Sequence, residues 1–365
     1  MTGEMASIPG DRLPSDYPQP RTGPIDGPSI WYGPEMMGED IWIEELKPIV
    51  KAELIDAMRG VADFDTDLQP IERRNFPLPA LAARLEALRK VTIYGRGLVL
   101  LRGVPIDGLS LEETAALYLG IGSYIGNPRP QNARGHPLGH VTDIEGAVVE
   151  QARRYLTNRC LPYHCDYVDI VTLLCLRKAR TGGLSSLVSL HTIHNEIWAE
   201  RPDLAKVLYG PAPSDRHEEV PPGKGLWYEL LVLKDYEGRL SIYIIRRHID
   251  TIGVYPDAPR VSPELTEALD MVEALANDPR LNMTMAFEPG DMQIVHNYQI
   301  MHDRTAYGNW EERNRRRYLL RLWLAPPDGV PLPSAFAGLY GSTIIGMRGG
   351  VSEPRIAPHV SLEPV

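Results

Sequence analysis

Leu161-Pro162-Tyr163-His164-Cys165-Asp166, leading into the apolar run Ile170 to Leu176, is the stretch from which the fold can be read. The run has the length and composition of a buried strand, and the residues before it read as the end of another. Alternate residues of a strand point to the same side, so His164 and Asp166 can approach one metal while Cys165 points away. On its own, His-x-Asp is a common accident, a surface histidine beside an aspartate.

Further along, Glu288-Pro289-Gly290-Asp291 forms a turn that launches a strand at Met292 to Val295, and His302 follows before Asp303-Arg304-Thr305. Two histidines and a carboxylate are the set that holds Fe(II) on one face and leaves the opposite positions open. Next comes Arg315-Arg316-Arg317-Tyr318-Leu319-Leu320-Arg321-Leu322-Trp323-Leu324. In a strand, 317, 319, 321 and 323 share a face, and Leu319 and Trp323 mark that face as inward. A buried guanidinium is costly unless an anion answers it. No acidic residue alternates with these two arginines, so a bound carboxylate is the natural partner, matched by the planar arginine fork. The other reading, a basic solvent-facing patch, suits Arg313, Arg315 and Arg316 better.

The rest of the chain sets the frame. Its 365 residues are 43% hydrophobic, ordinary for a globular protein, and its net charge of −10 disfavours nucleic acid or an anionic membrane as partner. Cys160, Cys165 and Cys175 make no disulfide framework and suit a reducing compartment. The N-terminus lacks a charged-then-apolar signal pattern, and no apolar run reaches the ~18 residues of a membrane span. A cytoplasmic protein is expected.

Residues 1–40 are an extended arm rich in proline and glycine (Pro9, Pro14, Pro18, Pro20, Pro24, Pro28, Pro34), not a packed helix. It could embrace a neighbouring subunit, leaving a homo-oligomer open, or wrap its own core. Residues 41–330 form one domain, and 331–365 an irregular tail. Helices are expected from Trp42 to Phe64, Leu81 to Leu88, after Ser110, from His191 to Ala199 and from Ser262 to Ala276. Strands are expected in the run Gly95 to Pro105 and at Ile170 to Leu176, Leu187 to Leu190, Leu230 to Leu233, Leu240 to Ile245, Met283 to Phe287, Met292 to Val295 and Tyr318 to Leu324. Residues 234–239 join two of these as a hairpin loop. Many strands without regular βα alternation give a mainly β sandwich or barrel with helical decorations.

The chain resembles the TauD/TfdA family (taurine dioxygenase and 2,4-dichlorophenoxyacetate dioxygenase) of Fe(II)/2-oxoglutarate-dependent oxygenases, over roughly 97–325. The resemblance rests jointly on Gly97 to Pro105, His164-x-Asp166, Gly182-Gly183-Leu184-Ser185, Gly290-Asp291, His302 and the pair Arg317/Arg321. It implies a double-stranded β-helix (jelly-roll) core and Fe(II) on His164, Asp166 and His302, with 2-oxoglutarate and O2 as cosubstrates. Arg317 would clamp the distal 2-oxoglutarate carboxylate beside the Ser185 hydroxyl, where relatives often have Thr. Arg321 matches a position that meets the substrate's anion in the taurine enzyme and can serve 2-oxoglutarate elsewhere. His296 and Cys165 depart from the family pattern without removing a ligand, and Asp166 argues against the halogenase variant.

The resemblance implies oxidation of an unactivated C–H bond of a small carboxylate-bearing molecule such as an amino acid. Hydroxylation is the leading outcome, with desaturation or cyclisation as the alternative. A zinc hydrolase on the same three ligands and a non-catalytic jelly-roll protein are the competing readings. Gln131, Asn132 and Tyr163 are candidate substrate contacts. Tyr163, Trp227 and Tyr228 could equally pack the core. His191 and His194 with Glu196 nearby form a weaker metal candidate, His136 and His140 read as loop histidines, and Asp169 is a decoy facing the other side of its strand.

Overall fold

A computed structural model describes residues 8–13, 20–61, 71–144, 154–217, 220, 223–351 and 355–364. Two facing sheets form its centre. The large sheet has seven strands among the described residues. It runs Ile43–Glu45, Leu98–Arg102, Met292–His296, Ile170–Arg177 and Tyr318–Ala325, whose far edge pairs with both Asn127–Arg129 and Leu138–Thr142. Only the first pairing is parallel. The small sheet orders Asn282–Met285, Ser185–Ser189, Ile300–Arg304 and Leu161–His164, all antiparallel.

The strand period divides two cores. Leu319 and Trp323 point between the sheets and pack with Val171, Cys175, Leu98, Leu187 and Ile300. Leu320, Leu322 and Leu324 point outward to the helices Leu111–Ile125 and Ala82–Tyr94. Apart from Arg321, this strand thus lays apolar residues on both layers, as a sheet covered on both faces requires. The result is the expected mainly β jelly roll with helical decorations.

Helix Leu111–Ile125 begins at a capping box, the Ser110 hydroxyl accepting from the Glu113 N–H and the Glu113 carboxylate from the Ser110 N–H. The helix expected from Trp42 is Pro48–Val61, later by half a dozen residues because Pro48 sets its first turn. Residues 62–64 of that expectation, with Pro14, Pro18 and Met1 to Met5, lie outside the described residues. The hairpin loop contracts to Glu237-Gly238, both at positive φ, so the strands are Leu233–Tyr236 and Arg239–Ile242.

Three expectations need correction. The arm is not wholly extended: Gly33–Gly38 is a short helix that buries Met36. Leu138–Thr142, read as loop, is a strand, and its His140 is fixed between Tyr318 Oη at 2.6 Å and the Ser361 carbonyl at 2.9 Å. The C-terminal segment, expected to be irregular, carries a helical stretch at Ser334–Phe336 and Ala337–Tyr340 and is packed. Arg348 is fully buried against Asp169 at 2.5 Å. The arm's described residues lie on their own chain, Ile25 exchanging two 2.8 Å hydrogen bonds with the Asn195 amide. Among the described residues no helix is long and apolar enough to cross a membrane.

Candidate active site

His164 ends the edge strand of the small sheet, and the antiparallel register sets it directly opposite His302. Facing residues of paired strands share a side, and the two imidazole rings lie 4.4 Å apart. The chain then leaves the sheet: the Cys165 N–H donates to the Ile244 carbonyl and the Asp166 N–H to Asn297 Oδ1, each at 3.0 Å. This turn brings the Asp166 carboxylate to the histidines, 4.0 Å from His164 Nε2 and 3.7 Å from His302 Nε2. The three ligand atoms lie within 4.8 Å of one another, the one such group of metal-binding side chains among the described residues.

The surroundings prepare these groups. The Pro162 carbonyl accepts from His164 Nδ1 at 2.8 Å, which fixes the proton there and leaves the Nε2 lone pair for a metal. Burial lowers the basicity of both rings, His302 to about 3, so both are neutral at pH 7. Burial alone would raise the Asp166 carboxyl. Arg321, the two imidazoles and the Trp323 indole N–H, donating at 3.0 Å, outweigh it and hold the carboxyl below the usual range. Two neutral imidazoles and a carboxylate at the rim between the sheets can hold a divalent ion and leave its outer side open.

Arg317 lies at the start of the adjoining strand of the large sheet and is 3% exposed. Its Nη1 has no hydrogen-bond partner, and no acidic side chain among the described residues pairs with it. Burial, with Arg304 nearby, pushes it down to about 10. Arg317 and Arg304 flank the Tyr307 ring at 5.1 and 4.9 Å. Gly183, at φ 69°, makes the room: a Cβ there would lie 3.0 Å from Arg317 Nε. Two residues on is Ser185, buried, with only a 3.4 Å contact from its hydroxyl to Gln293 Oε1 and a 3.3 Å one from Gln293 Nε2. A buried cation without a counter-ion beside an under-used hydroxyl is a receptor for a carboxylate.

Arg321 is placed differently. Its Nε donates to Gln131 Oε1 at 2.6 Å, its Nη1 is 3.6 Å from Asp166 Oδ1, and the guanidinium lies over Tyr155 and Trp323. Gln131 Nε2 donates to the Pro137 and Arg321 carbonyls, so this amide braces Arg321 and does not reach toward a ligand. Asn132 folds its own loop, its Oδ1 accepting from the Arg134 and His136 N–H groups. Tyr163 falls on the opposite strand face from His164, buried toward Ser186 and Asp303. Trp227 donates to Asp257, and Tyr228 packs under Arg216. His191 and His194 have both ring nitrogens in contacts with protein groups, and Glu196 takes the Tyr32 hydroxyl. They form no metal group.

The sequence reading missed Arg304, Tyr155 and the Trp323 N–H bond to Asp166. Arg304 and Trp323 were within reach of the strand period, each standing two residues beyond a residue already singled out.

The model of the family described as "Taurine catabolism dioxygenase TauD, TfdA family" matches residues 65–323. FR-33289 synthase of Streptomyces rubellomurinus is 30% identical over 321 residues, covering 86% of this chain and 94% of that protein. Taurine hydroxylase-like protein SAT17 of Stachybotrys chartarum is 30% identical over 345 residues, covering 89% and 88%. Among solved structures, an asparagine oxygenase in complex with Fe(II), 2S,3S-3-hydroxyasparagine and succinate superposes with TM-score 0.61 at 19% identity, over 78% of this chain and 93% of that one. The non-heme iron oxygenase OrfP with Fe and alpha-ketoglutaric acid gives 0.58 at 14%, over 77% and 93%. The chain belongs to the TauD/TfdA family and is an Fe(II)/2-oxoglutarate-dependent dioxygenase.

Proposed function

We propose that this dioxygenase hydroxylates an unactivated C–H bond of a small carboxylate-bearing or zwitterionic molecule, an amino acid being the simplest such substrate. His164, Asp166 and His302 are the proposed iron ligands. Arg317 and Ser185 are the proposed anchors of the distal 2-oxoglutarate carboxylate. The observation that carries this reading is the convergence of three ligand atoms within 4.8 Å in a chain that also buries an arginine, Arg317, which no acidic side chain among the described residues answers. A zinc hydrolase would leave that arginine unexplained, and membership of the family sets aside both that reading and the non-catalytic one.

Iron and 2-oxoglutarate together supply the oxidant, with release of succinate and CO2. The protein's own residues do the rest. Arg317 fixes the depth at which the dicarboxylate sits, and Gly183 keeps the guanidinium's place clear. His164 and His302, neutral and oriented, present lone pairs. Trp323 and Arg321 hold Asp166 ionised and pointed inward. Arg321, which the sequence offered as the substrate's anion contact, is braced by Gln131 and directed at Asp166. We therefore assign it to orienting the carboxylate ligand and to the near end of 2-oxoglutarate.

The amino-acid reading is supported by the compounds found in complex with the structural neighbours, 2S,3S-3-hydroxyasparagine in one and (3S)-hydroxy-L-Arg in another. Desaturation or ring closure by the same oxidant remains the second outcome of the same site. Three free cysteines fit a reducing, cytoplasmic setting. The test is succinate release by the iron-loaded enzyme across a panel of amino acids and small organic acids, with products identified by mass spectrometry. An anionic or zwitterionic compound should raise succinate above the substrate-free background and gain one oxygen atom. Stimulation by uncharged compounds alone would contradict the proposal.

A further inference from the structure

Four side chains lead in succession from the metal centre to the surface: Trp323, Tyr167, His248 and His217. The Trp323 indole N–H donates to Asp166 Oδ2 at 3.0 Å, so this ring touches a proposed iron ligand. The Tyr167 ring packs on Trp323, centroids 6.4 Å apart, and its hydroxyl is 2.7 Å from His248 Nδ1. His217 meets His248 edge to face at 4.4 Å, and its side chain is 27% exposed. Each ring-to-ring step is no longer than the ~4.5–7 Å of aromatic groups in contact.

Charge decides where a missing electron comes to rest along this line. The Arg321 guanidinium lies over the Trp323 ring at 5.0 Å and repels a positive charge there. Asp166, sharing its charge with a bound metal, offsets this only in part. The indole can therefore pass an electron vacancy but not keep it. Tyr167 escapes the penalty by losing a proton with the electron, which leaves a neutral radical. Its base is in place: a phenol is a stronger acid than the N–H of a neutral imidazole, so the hydroxyl donates and His248 Nδ1 accepts. Tyr243, whose ring lies 5.7 Å from that of Tyr167, lacks such a base, its hydroxyl being buried without a partner among the described residues. The vacancy stops at Tyr167.

We infer that Trp323, Tyr167 and His248 form an electron and proton relay that discharges the oxidant of the iron site when no substrate is bound. The inference rests on Asp166 being an iron ligand. Tyr167 gives one electron through Trp323 to the metal centre and its phenolic proton to His248 Nδ1. Tyr167 is not fully buried, so a hydrogen-atom donor of the ascorbate class restores the phenol. His248 passes its proton to water beside His217, and a solvent proton enters the metal centre. Two such passes supply the two electrons and two protons that turn the oxygen atom left from 2-oxoglutarate cleavage into water. The ligands and the pocket are spared oxidation.

The Fe(II)-loaded full chain with 2-oxoglutarate is mixed with O2 in the absence of substrate and frozen within seconds for electron paramagnetic resonance. A tyrosyl radical should appear, its hyperfine pattern collapsed by ring-deuterated tyrosine. Tyr167→Phe, which removes only a hydroxyl, should lower the yield fivefold or more, and His248→Gln likewise. Both should keep the visible band that Fe(II) and 2-oxoglutarate form without oxygen. With ascorbate present, the wild type should survive at least threefold more substrate-free turnovers than Tyr167→Phe. With that band present, the absence of a radical, or an equal yield in Tyr167→Phe, overturns the relay and leaves the metal assignment standing. Absence of the band overturns both.

Discussion

Two buried arginines in this molecule have opposite circumstances. Arg348 meets Asp169 with several contacts of 2.5 to 3.1 Å and a further one to the Val330 carbonyl. Arg317, nearly as buried, meets an aromatic ring and, among the described residues, no acid. The first charge is completed by its own chain and clamps the C-terminal segment to the strand region behind the metal centre. The second is left open, and the family's dicarboxylate cosubstrate has the charge it lacks. A closed pair makes structure, and an unpaired buried charge makes a binding site.

Substitutions can break that contrast. Asp169→Asn strands Arg348 without its counter-ion and should cost about 3–5 kcal/mol of stability in urea unfolding. Whatever remains folded should bind 2-oxoglutarate normally. Arg317→Met should do the reverse. It should weaken 2-oxoglutarate binding by about 2–5 kcal/mol, roughly thirty-fold or more in KM, while stability holds or rises because an unanswered charge has been removed. If both substitutions affected stability and KM alike, the distinction would fail.

Acid sharpens the comparison. Burial pushes His191 down to about 4 and His248 and His296 to about 3. Their folded pKa values lie below the unfolded value, so the unfolded chain takes up protons first as pH falls. Stability is complete above about pH 6.5 and drains away from there to about 4 for His191 and about 3 for the other two, by up to roughly 1.4 kcal/mol per pH unit for each histidine. The metal-free protein should show this in chemical denaturation. A flat profile across that window would place these rings in contact with water.

Lys234 is a third buried cation, 3.7 Å over the Phe336 ring with no hydrogen-bond partner. Burial depresses it well below its usual value. Lys234→Met should raise stability by about 1–2 kcal/mol, read as a higher Tm. Gly183→Ala is the smallest change. At φ 69° and against Arg317 Nε it should cost about 1 kcal/mol and shift the KM for 2-oxoglutarate more than kcat.

Much of this was legible in the sequence because strands repeat every two residues. That period pointed to Arg317 and Arg321 on the face of Leu319 and Trp323, both of which pack between the sheets, and to His164 with Asp166, which meet instead through the turn that follows the strand's end at His164. It also marked Asp169 as facing elsewhere. What stayed hidden depends on partners distant in the chain. Nothing near Gln131 reveals that its amide is spent on Arg321, and nothing near Arg348 reveals Asp169. The strand Ile300–Arg304 went unread because His302, Asp303 and Arg304 look polar. Two of them serve the site and are covered by neighbouring elements instead of by an apolar surface. Tyr163 shows the cost of proximity in sequence: one residue from a ligand is the wrong side of a strand.

The most direct test of the central claim is the visible charge-transfer band formed when Fe(II) and 2-oxoglutarate are added without oxygen. The wild-type chain should develop it at one equivalent of each. His302→Ala should abolish it, and Arg317→Met should need far more 2-oxoglutarate to reach it. A band of full strength at stoichiometric 2-oxoglutarate in either variant would contradict the assignment of these residues to the iron and its cosubstrate.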